Sequence, residues 1–298
     1  MQNIPLFIIN PNATLAKKAK TILNQRNIKY VINYSKKNLK NLLNEKIKEG
    51  YNNFIIAGGD GTINNFINAY MRFPLGIRTS IKVGFLPCGK TNDLSAAIKM
   101  PLDINKALDL LLRGRYIERD IIRVNDCYFI TGGALGLPME VVQDVYEFSN
   151  SKFGKIISNS ARSLVYYLFV VKKMILGYKG IKNLTYKNHK ISKLMLAFIS
   201  NQSFIGKRFI LAPDAKNNDG IFEVCFIKKP KNIFFDFYVL HKVINEKHLR
   251  MKNITQISTK KIKITTDKKM GFMGDGELLC KSDTFEIQIV PRAVKVIS

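Results

Sequence analysis

The most constraining feature of the sequence is a glycine-rich run between an apolar segment and an amphipathic one. The run is Gly58-Gly59-Asp60-Gly61-Thr62, preceded by the apolar residues 54–57 and followed by the helix-like residues 63–70. Glycine lets backbone N–H groups approach an anion closely, and the first turn of a helix adds unused N–H donors and a favourable dipole. The run therefore predicts a strand, a tight turn and a helix start that together bind phosphate.

Asp60 stands in the middle of this run, although its carboxylate has the same sign of charge as a phosphate. The position makes sense if a divalent cation lies between the two groups. The alternative is an ordinary strand-to-helix turn without a ligand. The five residues alone do not decide between these two interpretations.

The chain is strongly basic along its whole length. Its 298 residues carry a formal net charge of +26, with +12 in residues 1–123 and +14 in residues 124–298. A chain this basic is attracted to polyanions, which means nucleic acid or an anionic membrane surface. Lysine is abundant beside asparagine and isoleucine, so genome composition is the competing explanation.

Cysteine and histidine usage argues against disulfides and zinc. The four cysteines are far apart, and the three histidines do not combine with them at zinc-ligand spacing. The first residues lack the basic region of a signal peptide, and the most apolar helical stretch, 164–171, is too short to span a bilayer. We therefore expect a cytoplasmic protein that is at most peripheral to a membrane.

The first part of the chain alternates strand-like and helix-like segments. Strands are predicted at 6–9, 29–33, 54–57 and 82–86, and helices at 13–24, at about 39–47 and from residue 92 onward. Such alternation predicts a parallel sheet with helices on both faces. In such folds the ligand binds at the carboxyl ends of the strands.

The second part of the chain is dominated by β-type runs. These lie at 128–131, 193–200, 221–227, 261–265 and 284–290, and one long helix at about 159–176 interrupts them. The pattern predicts a mostly antiparallel β domain. The helix is apolar nearly all round, which indicates core packing, with contact to lipid chains as the alternative.

A second candidate motif follows the strand predicted at 82–86. Pro87 stiffens the exit from that strand, and Gly89 allows a conformation that other residues resist. Lys90 carries a point charge able to reach a nucleotide phosphate. Asn92 and Asp93 stand where side chains cap the next helix, and capping alone is the alternative interpretation.

A third motif near the carboxyl end of the chain contains two carboxylates. In extended backbone, residues two apart point to the same side, so Asp275 and Glu277 are predicted to form a pair. Such a pair can hold a metal ion, or one member can accept a proton from a substrate hydroxyl. The alternative is a surface hairpin turn of the Asp-Gly type at Asp275-Gly276.

A fourth motif covers residues 212–221, Ala-Pro-Asp-Ala-Lys-Asn-Asn-Asp-Gly-Ile. Backbone carbonyl groups beside Asp219 could bind a hard cation through oxygen. An Asp-Gly turn that leads into a strand is again the alternative.

The four motifs in this order resemble one family. The chain is similar to the bacterial soluble lipid kinases of the diacylglycerol kinase type, within a wider group that includes sphingosine kinases and, more distantly, NAD kinases and phosphofructokinases. The resemblance covers almost the whole chain from Asn10-Pro11 onward. The glycine run is shared with the distant relatives, whereas its combination with the other three motifs is much more specific to the lipid kinases.

The resemblance implies an α/β nucleotide-binding domain of the NAD kinase and diacylglycerol kinase type in residues 1–123. A mostly antiparallel β-sandwich domain would follow in residues 124–290. The last strand, in residues 291–298, would return to the first domain.

The resemblance also implies the roles of individual residues. Asp275 and Glu277 would be the catalytic pair, with Glu277 as the proton acceptor. Asp219 and the carbonyl oxygens of Lys216 and Ile221 would match a structural magnesium site. The residues implied in nucleotide binding are Gly58, Gly59, Asp60, Gly61, Thr62, Ile63, Asn64, Asn33, Lys90, Asn92 and Asp93.

Two positions depart from the family pattern. The family usually has Gly-Thr where this chain has Gly89-Lys90, so an ammonium group replaces a hydroxyl at residue 90. Asn12-Ala13 lacks the glycine that often follows Asn-Pro. The two carboxylates of the third motif are retained.

The resulting hypothesis is an ATP- and Mg²⁺-dependent kinase that phosphorylates a lipid hydroxyl, with diacylglycerol as the leading acceptor. The alternatives are a kinase for another lipid alcohol, such as a sphingoid base or a glycolipid, and a non-catalytic basic membrane-binding relative. The expected partners are the lipid and an anionic membrane surface at the inner face, a homodimer is a possible assembly, and no nucleic acid is expected because no recognised motif accompanies the charge.

Overall fold

The computed structural model describes residues 5–35, 38–89, 92–98, 100–150, 162–205 and 209–297. The chain divides into two compact units, one formed by residues 1–121 and 291–298 and the other by residues 122–290. Each unit is described by itself below.

The first unit alternates strands with helices. Its strands are β1 (Leu6–Ile9), β2 (Tyr30–Ile32), β3 (Asn53–Gly58) and β4 (Lys82–Pro87). Its helices are α1 (Ala16–Gln25), α2 (Leu39–Lys48), α3 (Asp60–Tyr70), α4 (Leu75–Arg78), α5 (Asp93–Ala97) and α6 (Ile104–Arg113). A further strand, β5 (Tyr116–Val124), runs from this unit into the next.

The second unit contains most of the remaining strands and three long helices. The strands are β6 (Cys127–Phe129), β7 (Gly132–Gly136), β8 (Ile181–Tyr186), β9 (His189–Ser200), β10 (Phe204–Ile205), β11 (Phe209–Ile210), β12 (Phe222–Lys228), β13 (Ile254–Thr259) and β14 (Lys261–Gly274). The helices are α7 (Leu137–Asn150), α8 (Arg162–Leu176) and α9 (Ile233–Ile244). The last strand, β15 (Glu277–Ile297), begins in the second unit and ends in the first.

The sheet of the first unit is parallel, with the order β2-β1-β3-β4 and the end of β15 beside β4. All six residues of β3 are buried, as expected for a strand that helices cover on both faces. Helix α1 buries Ala16, Ala19, Ile22 and Leu23, at the spacing of one helical face. The predicted α/β class is confirmed for this part of the chain.

The strands of the second unit pair in the antiparallel sense and close a ring. Strand β9 pairs with β7 and with β8, and β14 pairs with the same two strands. Strand β9 also pairs with β12, which in turn pairs with β13. Apolar side chains from these strands form one buried cluster, which includes Leu135, Leu184, Ile199, Val224 and Phe272. The predicted antiparallel β domain is therefore confirmed.

The expectation of one helix among these strands is wrong, because α7 and α9 flank α8 in sequence and pack with it. All three helices contribute to a second buried cluster, with Val145 from α7, Met174 from α8 and Val239 from α9. The sequence of α9, Ile-Phe-Phe-Asp-Phe-Tyr-Val-Leu, is rich in aromatic and β-branched residues and imitates a strand. Residues 159–161 of the predicted helix lie outside the described residues. Among the helices of the described ranges, none is long and apolar enough to cross a bilayer.

Candidate active site

The glycine run forms the predicted strand, turn and helix. Strand β3 ends at Gly58, Gly59 precedes the helix in extended backbone, and α3 begins at Asp60. The carbonyl oxygen of Gly59 accepts hydrogen bonds from the N–H groups of Thr62 at 2.8 Å and Ile63 at 3.1 Å. The first turn of α3 thus starts directly at the carboxyl edge of the sheet. N–H groups at such a helix start suit a phosphate.

Close packing explains why the turn requires glycine. A Cβ atom added to Gly58 would lie 2.5 Å from Cβ of Thr62. One added to Gly59 would lie 3.0 Å from Cα of Gly89, in the loop after β4. The backbones of the two loops therefore touch at the ends of neighbouring strands.

Asparagine side chains follow two further strands at the same edge. Asn10 follows β1, and its Nδ2 atom donates a 2.8 Å hydrogen bond to Oγ1 of Thr62 in the glycine run. Asn33 follows β2, its N–H donates to the carbonyl of Ile9, and its Oδ1 accepts from Ser35 N at 3.4 Å. Asn10 was not predicted as a site residue, although its place after the predicted first strand could have indicated it.

The loop after β4 has a different conformation from the one predicted. Asn92 lies in the left-handed region, with φ of 53°, and its side chain makes no capping bond to α5. Instead its Oδ1 accepts from Gly89 N at 3.1 Å, and its Nδ2 donates to Gly89 O at 2.9 Å. The expectation that Asn92 caps the helix is wrong, because the side chain closes the loop onto Gly89. Asp93 is the first residue of α5, and Lys90 lies outside the described residues.

Among the remaining residues of the predicted phosphate site, Asp60 contacts the next helix, whereas Ile63 and Asn64 are buried behind the turn. The Asp60 carboxylate reaches the start of α5, where Leu94 N donates to its Oδ1 at 3.4 Å. Ile63 and Asn64 are buried, and the Asn64 side chain accepts from Nδ2 of Asn68 at 3.2 Å. Ile63 and Asn64 therefore support the turn from inside.

In the second unit, Asp275 and Gly276 form a two-residue hairpin turn between β14 and β15. Their φ values of 50° and 79° are both positive, and Gly274 pairs with Glu277 across the turn. Positive φ at both central residues defines a type I′ turn. The assumption of extended backbone from Asp275 to Glu277 is therefore wrong, and the Asp-Gly turn offered as the alternative is present.

The turn is anchored by the Asp275 side chain. Its Oδ1 accepts hydrogen bonds from Thr131 N at 2.8 Å and Thr131 Oγ1 at 2.6 Å, and its Oδ2 accepts from Ile130 N at 3.1 Å. Its backbone N–H donates to the carbonyl of Gly132 at 2.9 Å. Asp275 thereby fixes the hairpin against the connection between β6 and β7. Thr131 carried no local sequence signal for this role.

Glu277 has a different environment. It is the first residue of β15 and is partly exposed. Within the described residues, no hydrogen bond or ion pair engages its carboxylate. A partly exposed carboxylate on a fixed hairpin can accept a proton from a bound hydroxyl.

The loop that contains the predicted metal ligands is an irregular surface segment. Oδ1 of the exposed Asp219 accepts from Ile221 N at 3.2 Å, and Gly220 has φ of 76°. The described residues contain no cluster of three or more His, Cys, Asp or Glu side chains that could hold a metal. The predicted site needs one carboxylate and two carbonyl oxygens, so it stays a prediction.

Two family models match this chain over adjacent ranges. The diacylglycerol kinase catalytic domain matches residues 5–124, and the YegS C-terminal NAD kinase beta sandwich-like domain matches residues 123–298. The chain belongs to the diacylglycerol kinase family. It is accordingly a lipid kinase of the diacylglycerol kinase type.

Individual relatives agree with this membership. A diacylglycerol kinase of Bacillus subtilis is 30% identical over 75% of this chain and 70% of its own length. A diacylglycerol kinase of Staphylococcus carnosus is 28% identical over 78% of this chain and 72% of its own length. The fold matches a crystal structure of a diacylglycerol kinase from Bacillus anthracis str. Sterne, with a TM-score of 0.72 at 17% identity over 99% of this chain and 96% of that one.

Proposed function

We propose that this lipid kinase transfers the γ-phosphoryl group of ATP, with Mg²⁺, to the free hydroxyl of diacylglycerol and produces phosphatidic acid. The observation that carries the chemistry is the Glu277 carboxylate, which has no hydrogen-bond or ion-pair partner among the described residues, on a hairpin that Asp275 holds in place. The choice of acceptor rests on the two relatives from Bacillus subtilis and Staphylococcus carnosus that are named diacylglycerol kinase.

The first unit would hold the nucleotide at the carboxyl edge of its sheet. Gly58, Gly59 and Gly89 add no side chains of their own to this edge, which fits the close approach of a triphosphate to the backbone. The Asn10 side chain orients the Thr62 hydroxyl, and Asp60 provides a carboxylate oxygen suited to Mg²⁺. Bound Mg-ATP would supply the electrophilic phosphorus and neutralise part of the charge on the transferring group.

Glu277 would act as the proton acceptor for the lipid hydroxyl. A general base contributes about 10²–10⁴-fold when it is positioned within hydrogen-bond reach of the proton. Asp275 would act as a positioning residue, because its own oxygens are occupied by Thr131 and Ile130. The proton would pass from the hydroxyl to the Glu277 carboxylate as the hydroxyl oxygen bonds to the γ-phosphorus, while the bond from that phosphorus to oxygen breaks and releases ADP.

A second cation would bind the surface loop of the second unit. The carboxylate of Asp219 and the carbonyl oxygens of Lys216 and Ile221 are hard oxygen donors, which fit Mg²⁺ or Ca²⁺ by their chemistry. This ion would stabilise the loop and take no part in phosphoryl transfer.

The basic surface would attract the enzyme to anionic phospholipid. Each lysine near such a surface contributes roughly 1 kcal/mol, so a few suffice for reversible binding. The proposed lysines are Lys228, Lys229, Lys231, Lys242, Lys247, Lys260, Lys261 and Lys263.

The experiment that tests the proposal is an acceptor screen with ATP and Mg²⁺, read out by the mass of the lipid product. The panel contains diacylglycerol, a sphingoid base, a glycolipid and a control without lipid. We expect phosphatidic acid from wild type, none in the presence of EDTA, and at least ~100-fold less from Glu277→Gln. Phosphorylation of another panel member in place of diacylglycerol would reject the substrate, and near-wild-type turnover by Glu277→Gln would reject the base.

A further inference from the structure

Helices α8 and α9 expose many large apolar side chains on the second unit. Their exposed fractions range from 42% for Ile244 to 80% for Phe234. Apolar patches of this kind on a protein surface mark sites of interaction. The set, named here the α8/α9 face, consists of Leu164, Leu168, Ile175, Leu176, Phe234, Phe235, Tyr238 and Ile244.

These side chains lie on defined faces of two helices that share one core. Leu164 and Leu168 are four residues apart in α8, and Phe234 and Tyr238 are four residues apart in α9, which places each pair on one side of its helix. The opposite sides of both helices enter the same buried cluster. A 2.6 Å hydrogen bond from the Tyr178 hydroxyl, just after α8, to Oδ1 of Asp236 ties α9 to the end of α8.

Basic residues predominate in the sequences of the two helices, and one of them, Lys173 of α8, pairs with Asp144 of α7 at 3.1 Å. Asp236 is the one acidic residue in the sequence of the two helices, and it is buried against Tyr178. The Lys172 ammonium lies 5.1 Å from the ring centre of Phe169, and the Lys242 ammonium lies 5.1 Å from that of Tyr238. Lysine stems can cover apolar surface while their ammonium groups reach outward to anions.

We propose that the α8/α9 face inserts into the headgroup region of an anionic phospholipid bilayer. Exposed aromatic and leucine side chains flanked by lysine are the chemistry of helices that lie in a membrane interface. A second copy of the chain fits less well, since a twofold interface would set the same lysine-bearing surface against itself. The inference rests on the proposed function in one respect, namely that the lipid acceptor resides in a bilayer.

The absence of tryptophan from the sequence allows a direct test of insertion. Phe234→Trp would carry the sole tryptophan on the proposed face. Leu75→Trp would carry it on α4 of the first unit, where Leu75 is 65% exposed. Both variants are mixed, without ATP, with vesicles of phosphatidylcholine or of an equal mixture of phosphatidylcholine and phosphatidylglycerol.

We expect the emission of Phe234→Trp to shift to the blue with the mixed vesicles and to be quenched by brominated acyl chains, whereas Leu75→Trp does neither. Vesicle binding with unchanged emission from Phe234→Trp, or equal shifts from both variants, would overturn the proposal.

Loss of the aromatic rings gives a second, quantitative readout. Phe234→Ser/Phe235→Ser should weaken sedimentation with mixed vesicles by ~10-fold or more, because two inserted rings are lost. The matched control, Leu75→Ser/Leu102→Ser, replaces two exposed side chains of the first unit and should bind like wild type. If the aromatic double variant does not fold, Leu168→Ser/Leu176→Ser on α8 tests the same face.

Two further measurements distinguish membrane insertion of the α8/α9 face from self-association through it and from the proposed kinase activity. Sedimentation velocity of the aromatic double variant without lipid should match wild type, and loss of a dimer with intact vesicle binding would assign the face to a second copy. Activity on a water-dispersed short-chain diacylglycerol should be unchanged in the double variant. A wild-type protein that inserts into vesicles but phosphorylates no lipid would retain this inference and reject the proposed function.

Discussion

At the scale of single residues, Asp275 and Glu277 are only two positions apart, but the hairpin gives their carboxylates different surroundings. Asp275 accepts several hydrogen bonds from Ile130 and Thr131, whereas within the described residues the Glu277 carboxylate has none. Sequence reasoning proposed both residues as a catalytic pair, with Glu277 as the proton acceptor, and assumed that extended backbone turns both side chains to the same side. The difference depends on Thr131, which lies far away in sequence and which no local pattern indicates.

The first prediction concerns Asp275→Asn. An amide would keep one acceptor oxygen but turn an NH₂ group toward backbone N–H donors, so we expect the free energy of unfolding to fall by about 1–3 kcal/mol. Urea unfolding of wild type, Asp275→Asn and Glu277→Gln measures this. Glu277→Gln is the control and should match wild type in stability, because in the part of the chain that the structure describes its carboxylate makes no hydrogen bond or ion pair to lose. Equal stability of all three proteins would contradict the structural role of Asp275.

The second prediction concerns the contact between the two phosphate-site loops. A Cβ atom on Gly89 would clash with Cα of Gly59 and lie 2.8 Å from Oδ1 of Asn92. Gly89→Ala should therefore lower the free energy of unfolding by about 1–3 kcal/mol through overpacking. Gly76→Ala on α4 is the matched control, since outside the local backbone of its own helix no atom of the described residues lies within 4 Å of the added Cβ. That variant should be neutral or slightly stabilised, and a similar loss in both would show that packing is not the cause.

At the scale of elements, the segment after α8 anchors both α9 and the start of α7. The Tyr178 hydroxyl donates to Asp236 of α9, and Lys229 Nζ lies 4.2 Å from the Tyr178 ring centre. The carboxylate of Glu140 in α7 accepts from the N–H groups of Lys179 at 3.1 Å and Gly180 at 2.8 Å. Burial raises the pKa of both Tyr178 and Asp236.

The third prediction is that Tyr178→Phe lowers the free energy of unfolding by about 1.5–3 kcal/mol, because the buried Asp236 carboxylate loses its hydroxyl donor. Tyr146→Phe is the matched control, since Tyr146 on α7 is 70% exposed, and it should change stability little. Denaturant unfolding of wild type and both variants measures these changes in the free energy of unfolding. If Tyr178→Phe had the same free energy of unfolding as wild type, the hydroxyl would not fix α9 to this segment.

The fourth prediction concerns the short 3₁₀ helix His248–Arg250, which contacts the segment before the predicted metal loop. His248 is fully buried, and its Nε2 donates to the carbonyl of Leu211 at 3.1 Å. Burial lowers the pKa of His248, although the Leu211 carbonyl acts in the opposite direction. The unfolded chain therefore takes up this proton at a higher pH than the folded one.

The contribution of His248 to the free energy of unfolding should therefore be fully present above about pH 6.5, the pKa of histidine in an unfolded chain. Below that pH the free energy of unfolding should fall by at most ~1.4 kcal/mol per pH unit. Unfolding curves at several pH values between neutral and mildly acidic measure this slope. His248→Gln should reduce the slope, whereas His189→Gln, at an exposed position on β9, should keep it. Identical slopes in the two variants would exclude His248 as the source.

The elements that sequence reasoning located best are those with the simplest patterns. The apolar runs of β1, β3 and β4 were predicted to within about one residue, because strands buried on both faces are continuous apolar segments. Helix α9 was missed because its aromatic composition imitates a strand, and α7 because its start follows the glycine-rich strand β7 directly. The Asp-Gly turn at Asp275-Gly276 was indicated by the local sequence as an alternative. The anchoring of Asp275 by Ile130 and Thr131 depends on a distant segment and could not be read locally.

At the scale of the whole molecule, one strand takes part in both units. Residues 277–288 of β15 pair with β14 in the second unit, and Lys295 and Val296 pair with β4 in the first. Within the first unit, Val294, Val296 and Ile297 are buried, and the carbonyl of Ala293 accepts from the Tyr70 hydroxyl at 3.2 Å. The core of the first unit is thus completed by the last residues of the chain.

The fifth prediction concerns these last residues of the chain, which pack into the core of the first unit. Deletion of residues 291–298 removes three buried apolar side chains and the neighbour of β4, so the first unit should lose most of its stability. Val296→Asp, which buries an unpaired charge in the same place, should have a similar effect without shortening the chain. Hydrogen exchange measured by mass spectrometry should show faster exchange in β3, β4 and α3 in both variants.

Strands β9 and β12 of the second unit provide the internal control, because their partners remain in place. Unchanged exchange in β4 after the deletion would show that the first unit closes its sheet without the last strand, and equal acceleration in both units would show that they unfold together.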